Sequence, residues 1–147
     1  MDKKDLIDLL NEIFIPIGFK RKGNSWVENG SELSKLVNLQ KSNYSNSFYI
    51  NYGYNMRGLE TNTFFLHIYY RLGGADKEEQ KRITDLLDLE NGINAEQRLS
   101  GLRLFIINKI VSEMVPIITI DGLREYVKKR GNLDMIPFVV KNYLQLN

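Results

Sequence analysis

The stretch that decides the fold is residues 33–55, LSKLVNLQKSNYSNSFYINYGYN. In each half, more apolar and more polar side chains alternate, which is the two-residue period of a β-strand. The polar run Asn43–Asn46 between the two halves predicts a turn. We therefore predict one strand at Leu33–Ser42 and a second at Ser47–Asn55. Because so short a connection joins them, they are expected to pair as antiparallel neighbours.

Further β signals lie on both sides of this hairpin. Upstream, Phe19–Lys22 and Ser25–Glu28 read as short strands, and Asn29-Gly30 is a strong hairpin signal. Downstream, Thr63–Leu72 alternates again and predicts a fifth strand. Short connections throughout favour an antiparallel meander.

Apolar residues at helical spacing occur both before and after the predicted strands. Leucine and isoleucine recur at three- and four-residue intervals over Asp2–Ile15, which predicts an N-terminal helix. After residue 75 the period of the apolar residues lengthens again, and the expected helix starts are Asp76, Asn94, Asp121 and Asp134. The predicted fold is α+β, one globular domain over residues 1–147: an N-terminal helix, a five-stranded antiparallel meander, and four C-terminal helices packed on one sheet face.

Composition excludes several kinds of chemistry. The chain has 147 residues, no cysteine and one histidine, His67, so disulfides, thiolate catalysis and cysteine or two-histidine zinc sites are ruled out. We find no glycine-rich phosphate loop, and we predict no cofactor and no metal ligands. No window approaches a membrane span or a signal peptide, so a cytoplasmic protein without membrane contact is expected.

The two faces of the predicted sheet differ in chemistry. One side of the last strands is apolar enough to receive the helices, whereas the other gathers amides, hydroxyls, an imidazole and a guanidinium among exposed aromatics. The candidate ligand-binding residues on that side are Asn38, Gln40, Ser42, Tyr49, Asn51, His67, Tyr69 and Arg71. No residue is predicted to be catalytic.

Two segments resemble a known family. GFKRKGNSWVENG at residues 18–30 and KLVNLQKSNYSNSFYINYGY at residues 35–54 are similar to the bacterial domain of unknown function 4304 (DUF 4304). The likeness is strong over the first half of the chain, and the helical half fits in order and length. The family has no established activity, so the resemblance implies no reaction. It does make Asn38, Gln40, Ser42 and Asn51 motif residues.

The sequence leaves several functions open. The lack of catalytic motifs favours a non-enzymatic protein-binding module, of the immunity or accessory kind, acting through the polar side of the sheet. The alternative is a binder of small anions or nucleic acid around Gln40, His67, Tyr69 and Arg71, although weak net charge disfavours nucleic acid. His67 as a general base is a third hypothesis. The amides would otherwise serve only as structural hydrogen-bonding groups. A monomer and a homodimer are both compatible with the sequence.

Overall fold

A computed structural model describes residues 1–60 and 66–146. The strands are β1 (Lys20–Lys22), β2 (Ser25–Asn29), β3 (Leu33–Lys41), β4 (Phe48–Met56) and β5 (Ile68–Arg71). The helices are α1 (Lys3–Phe14), α2 (Lys77–Leu86), α3 (Ala95–Ile106), α4 (Ser112–Met114), α5 (Ile120–Arg130) and α6 (Phe138–Tyr143). The predicted α+β order of one helix, five antiparallel strands and C-terminal helices is confirmed.

Helix α1 begins and ends where local chemistry requires. The Asp2 carboxylate accepts from the backbone of Lys4 and Asp5, and Asp5 bonds back to the Asp2 N–H, which together form a capping box. Beyond Phe14 the chain tightens into a 3₁₀ turn that contains Pro16, and Gly18 closes it with a φ of 102°. Only glycine adopts that backbone freely, so the chain can turn back sharply into β1.

The sheet is a meander in the order β1-β2-β3-β4-β5. The long central pair, β3 and β4, is in register from Leu33 opposite Met56 to Lys41 opposite Phe48. This pairing fixes which side chains share a face, because a slip of one residue would turn every side chain over.

The fifth strand is shorter than predicted. Thr63–Leu72 was expected, but β5 spans only Ile68–Arg71, and residues 63–65 of the predicted strand lie outside the described residues. At His67 the backbone hydrogen bonds between β4 and β5 stop, and side-chain hydrogen bonds take their place. The Asn55 amide oxygen accepts from the His67 backbone N–H at 2.8 Å, and the Met56 N–H donates to the His67 ring at 2.9 Å. Side-chain hydrogen bonds thus replace the backbone pairs that would have extended the strand.

The helices pack on one face of the sheet and enclose a single core cluster. Side chains from β3 and β4 meet Leu102 and Ile106 of α3 and Leu123 and Val127 of α5. Trp26 is wholly buried on the same side, and its indole N–H donates to Asn11 of α1 at 2.9 Å. Each fully buried aliphatic side chain contributes about 1.5–3 kcal/mol relative to exposure, so this face anchors the helical layer.

The helix that starts after Asn94 is continuous but not uniform. It runs through α3, a π-helical turn at Ile107–Val111 and α4, and it ends just before Pro116, because proline cannot continue a helix. A π-helical turn widens the backbone by one residue and often marks a functional or packing constraint.

Two helix starts were predicted wrongly. The α5 N-terminus is capped by Thr119, whose hydroxyl accepts from Gly122 N–H at 3.0 Å, whereas Asp121 lies in the first turn and pairs with Arg124. The last helix begins at Phe138 and not at Asp134. Pro137 explains the second error, because the residue before a proline is pushed to extended backbone, and this separates α6 from the preceding 3₁₀ turn.

Arg98 holds the connection between α2 and α3. It is 1% exposed, and its guanidinium donates to the backbone oxygens of Asp85, Leu86 and Asp88 at 2.6–3.0 Å. A buried guanidinium therefore satisfies carbonyls at the end of α2 that would otherwise lack donors. Among the helices of the described residues, none is long and apolar enough to cross a bilayer.

Candidate functional site

Strand register places one set of side chains on the side of the sheet opposite the helical core. We call this set the polar face. It consists of Lys20, Lys22, Ser25, Val27, Asn29, Ser34, Leu36, Asn38, Gln40, Tyr49, Asn51, Gly53, Asn55, Tyr69 and Arg71. Burial alternates accordingly: along β3, Val37 and Leu39 are buried, whereas Asn38 is half-buried and Gln40 is exposed. The alternation predicted from sequence is thus present.

One row of the polar face crosses all five strands. Lys22 lies opposite Ser25, Ser25 opposite Asn38, Asn38 opposite Asn51, and Asn51 opposite Arg71. Directly opposed side chains are the closest neighbours across a sheet. The row therefore aligns an ammonium, a hydroxyl, two amides and a guanidinium.

Hydrogen bonds join the middle of this row into a network. The Asn51 amide N–H₂ donates to Gln40 Oε1 at 2.8 Å and to Asn38 Oδ1 at 3.4 Å. Arg71 Nε donates to Asn51 Oδ1 at 2.9 Å, and its Nη2 donates to Gln40 Oε1 at 3.1 Å. Asn38 in turn donates to the Ser25 hydroxyl at 3.1 Å. Asn51 is the hub, and its 2% exposure shows that its neighbours cover it.

Two tyrosines flank the network and face solvent. Tyr49 is 36% exposed and Tyr69 is 46% exposed. The Arg71 guanidinium carbon lies 4.1 Å from the Tyr49 ring centroid, which is a cation–π contact. Asn51 and Gln40 therefore hold Arg71 from one side while Tyr49 supports it from the other, so the guanidinium has a fixed orientation before any partner arrives.

The polar face carries charge of one sign. Its charged strand residues are Lys20, Lys22 and Arg71, and no described strand position on this side holds a carboxylate. Such a surface attracts groups that carry negative charge or hydrogen-bond acceptors.

Two of the eight candidate residues, Ser42 and His67, belong neither to the network nor to the tyrosines that flank it. The Ser42 hydroxyl accepts from the Tyr44 backbone N–H at 3.1 Å and so helps to close the β3–β4 turn. His67 is 6% exposed and is turned onto the backbone of β4, where its Nδ1 accepts from Met56. The imidazole is therefore buried and bonded to the backbone of β4, and it is not one of the open groups of the polar face.

The environment of His67 bears on its proposed role as a base. Burial lowers the pKa of His67 below its ordinary value near 6.5, and the hydrogen bond from Met56 requires an unprotonated Nδ1. The nitrogen that would accept a proton is thus already occupied. This geometry favours a structural role for His67.

The covered side of the same strands holds a second polar cluster that the sequence reasoning missed. We call it the tyrosine cluster. It consists of Tyr52, Tyr54, Tyr70, Glu113, Tyr126 and Arg130. Three of its tyrosines stand on β4 and β5, and the other members come from α4 and α5. A signal was present in the sequence, since tyrosines on the core side of a sheet need hydroxyl partners, but the pattern did not identify those partners.

Arg130 connects the tyrosine cluster. Its Nη1 donates to the hydroxyls of Tyr52 at 2.7 Å and Tyr126 at 2.8 Å, and its guanidinium carbon lies 3.9 Å from the Tyr70 ring centroid. The Tyr126 hydroxyl donates to Glu113 at 2.7 Å. Burial raises the pKa of Tyr70 to about 12, so the phenol stays neutral at ordinary pH. The hydroxyls of Tyr54 and Tyr70 are buried without a partner among the described residues.

A cleft of about 220 Å³ opens beside the tyrosine cluster, between Gly73–Ala75 and the side chains of Lys109, Glu113 and Arg130. Its cations are already paired. Lys109 lies 2.5 Å from Glu79, and Arg130 lies 3.4 Å from Glu113. The cleft therefore presents no uncompensated charge to a ligand, unlike the polar face.

Among the described residues, no group of three or more His, Asp or Glu side chains is placed to hold a metal ion.

Comparison with known proteins yields one match. The family described as Domain of unknown function (DUF4304) matches over residues 10–114, well over half of the chain. The matched segment contains the N-terminal helix from its middle, all five strands, and the helices through α4. No curated protein and no solved structure matches.

Proposed function

Because the chain belongs to the DUF4304 family, whose function is undescribed, its role must be inferred from its own surface, and we propose that it is a non-enzymatic protein-recognition module acting through the polar face. We place it among immunity or accessory proteins of the bacterial cytoplasm, which bind a partner and occlude it. The observation that carries the proposal is the hydrogen-bonded unit of Gln40, Asn51 and Arg71, held rigid on an open sheet face and flanked by exposed tyrosines.

Rigid arginine and tyrosine side chains suit this role. Arginine and tyrosine are enriched among the residues that dominate binding energy at protein interfaces. Side chains that are already fixed lose less conformational entropy on association, which favours affinity. Tyr49, Tyr69 and Arg71 combine these properties on one surface.

The composition of the polar face supports a protein partner in a second way. The centre of the face carries the half-buried side chains of Val27 and Leu36 beside the amide network. An apolar centre bordered by polar groups is the usual anatomy of a protein interface. The basic side chains Lys20 and Lys22 at one margin and Arg71 at the other favour a partner with exposed carboxylates or carbonyls.

Site-specific photo-crosslinking in the native host tests the proposal. A photoreactive amino acid replaces Tyr49 in one variant, Tyr69 in a second and Leu104 in a control. Leu104 is 65% exposed on α3, away from the sheet. The proposal expects one discrete protein adduct from the first two positions and none from the control. Absence of adducts at both tyrosines, or the same adducts from all three positions, would contradict it.

An immunity role adds a sharper expectation. If the partner is a toxin, its gene is expected beside this one, and co-expression of this chain rescues growth. Arg71→Ala removes the central cation of the polar face and is expected to abolish that rescue, whereas Lys129→Ala on α5 retains it. Rescue by both variants would exclude the polar face as the occluding surface.

A small-anion ligand is the second candidate function. It is favoured by the lack of carboxylates at described strand positions on the polar face. A ligand that binds only the folded state raises the thermal midpoint. Inorganic phosphate, pyrophosphate and a short single-stranded RNA, each at millimolar concentration, are expected to raise the midpoint of the native chain more than that of Arg71→Ala. Unchanged midpoints would eliminate this candidate.

A further inference from the structure

The outer edge of β5 carries backbone groups directed away from the sheet. Leu72 N–H donates to Ile50 O at 2.8 Å, and β5 is the last strand in the order. In an antiparallel ladder, hydrogen-bonded pairs alternate with non-bonded ones. The backbones of Ile68 and Tyr70 therefore face β4, and those of Tyr69 and Arg71 face outward. No described residue outside β4 forms a backbone hydrogen bond with this edge.

A groove runs along this edge. It has a volume of about 380 Å³, and one wall is formed by residues 66–71. The other wall is formed by Arg130 and by the turn after α5, including Met135, Ile136 and Pro137. Met135 is 84% exposed, which leaves an apolar side chain in solvent beside open backbone donors and acceptors. An unpaired strand edge of this kind is a template for another extended chain.

The length of the edge limits its occupant. β5 has four residues, and a β-strand rises about 3.3 Å per residue, so the edge can pair with only a short extended segment. The turn that forms the opposite wall would oppose the approach of a whole sheet.

The charge of the groove further limits which partners can bind there. Arg71 and Arg130 line the groove, and no described carboxylate lines it. Glu113 contacts Arg130 from the cleft side, and Asp134 lies on the turn without lining the groove. Arg130 is already paired with Glu113, whereas Arg71 bonds only to amide oxygens among the described residues, so Arg71 supplies the uncompensated charge of the groove. Pairing with the β5 edge of a second copy would bring two Arg71 guanidinium groups onto the same sheet face. An acidic peptide would instead compensate the charge of Arg71.

We propose that the groove along β5 binds an extended acidic peptide segment of a protein partner by adding it as a sixth strand. The inference rests on the proposed protein-recognition function and names the chemistry of the partner. The peptide backbone bonds to the outward groups of Tyr69 and Arg71. Its side chains alternate between carboxylates beside Arg71 and apolar groups against Met135 and Ile136. In β-strand addition the backbone hydrogen bonds supply affinity and such side-chain contacts supply specificity.

The probe is a fluorescein-labelled peptide that alternates glutamate and valine over seven residues, measured by fluorescence anisotropy on the full chain. Two matched peptides isolate the two parts of the proposal. One replaces each glutamate by lysine, and the other carries an N-methyl group on every residue so that neither edge of the peptide keeps a backbone donor. We expect each change to weaken binding by at least about tenfold. Equal binding of the lysine peptide would overturn the charge argument, and equal binding of the methylated peptide would overturn strand addition.

Variants of the chain test the same edge. Tyr69→Pro removes an outward N–H that β4 does not use, and proline is tolerated at such edge positions. Tyr69→Ala is its control, since it removes the ring and retains the N–H. The proposal expects the proline variant to bind the glutamate peptide at least about tenfold more weakly than the alanine variant. Similar affinities would contradict it.

A second pair of variants keeps the test decisive if the proline variant does not fold. Met135→Glu places a carboxylate on an exposed turn beside the groove, and this variant is expected to repel the peptide. Lys129→Glu adds a carboxylate outside the groove and serves as the control. The control variant is expected to bind the peptide at least about tenfold more tightly than the Met135→Glu variant. Comparable binding by these two variants overturns the groove as the site. The photo-crosslinks at Tyr49 remain independent of this outcome. If the native chain does not bind the peptide at millimolar concentration but does form the Tyr49 adduct, the groove is not a peptide site, and the proposed recognition by the polar face still stands.

Discussion

The two sides of the β3–β4–β5 sheet both carry hydrogen-bonded arginines, but they do so in opposite ways. On the polar face, Arg71 is exposed and bonds to amides on neighbouring strands. In the tyrosine cluster, Arg130 is itself partly exposed, but it reaches from α5 to the hydroxyls of Tyr52 and Tyr126 on the covered side of the sheet. The first arrangement keeps a guanidinium available at the surface, whereas the second uses one to satisfy buried hydroxyls. The same chemistry therefore points to recognition on one side and to stability on the other.

The comparison predicts that the covered side contributes more to folding. Arg130→Met retains much of the apolar stem but leaves the Tyr52 hydroxyl without its donor and Glu113 without its cation. Loss of a partner at partly buried polar groups costs about 2–4 kcal/mol. Urea denaturation is expected to show a free energy of unfolding lower by that amount.

Lys129→Met is the matched control, since it removes the same charge from an exposed neighbouring position on α5. It is expected to change the free energy of unfolding by less than about 0.5 kcal/mol. Equal losses for both variants would mean that the Arg130 contacts do not stabilise the fold.

Asn51→Ala is the next largest expected effect. Asn51 is the hub of the polar-face network. Its removal deletes the hydrogen bonds that it forms with Arg71 Nε and Gln40 Oε1, and these two atoms then bond to water or to one another. Because those partners lie near solvent, we expect a loss of only about 1–2 kcal/mol in the free energy of unfolding. A loss larger than that of Arg130→Met would reverse the proposed division between the two sides.

A smaller effect concerns pH. Burial lowers the pKa of His67 in the folded state, so the unfolded chain takes up the proton first. The stabilisation is complete above the unfolded pKa near 6.5 and is lost as pH falls through the folded pKa. Unfolding free energies measured from pH 7.5 down to pH 5.5 are therefore expected to decrease.

His67→Asn tests the source of that pH dependence. An asparagine oxygen can replace Nδ1 as the acceptor for Met56 without titrating, so the variant is expected to show a flatter profile over the same range. Because His67 is the only histidine in the chain, an unchanged slope would show that the imidazole is not the responsible group.

Tyr49→Ala is expected to have the smallest effect on stability. The ring is 36% exposed and supports Arg71 in a surface cation–π contact, which contributes about 0.5–1 kcal/mol. A loss of unfolding free energy beyond that range, measured by urea denaturation, would indicate that Tyr49 is part of the core of the fold and not a free recognition residue.

The contrast between the two sides also explains what the sequence could predict. The polar-face network stands on strands whose alternation and short turns fix the register, so Asn38, Gln40, Asn51 and Arg71 could be placed together in advance. The tyrosine cluster depends on the pairing of Tyr52 with Arg130, which are separated by 78 positions along the chain. Local patterns do not encode such a contact, because it arises only when the helices dock on the sheet.

The remaining errors have similar causes. The start of β5 was misplaced because the Asn55 and His67 side chains take over the backbone groups, and hydrophobic alternation does not report such competition. The α5 cap was assigned to Asp121 when Thr119, two residues earlier, has the extended backbone that a cap needs. The periodic interiors of the elements were predicted more accurately than their ends.

The proposed role of the polar face is to recognise the partner of this protein. The most direct test is the equilibrium affinity of the purified crosslinked partner for the native chain, for Arg71→Ala and for Lys129→Ala, measured by isothermal titration calorimetry together with unfolding free energies. We predict that Arg71→Ala lowers affinity by at least about tenfold, equivalent to about 1.4 kcal/mol, while Lys129→Ala binds like the native chain. Native affinity in a folded Arg71→Ala variant would contradict the claim.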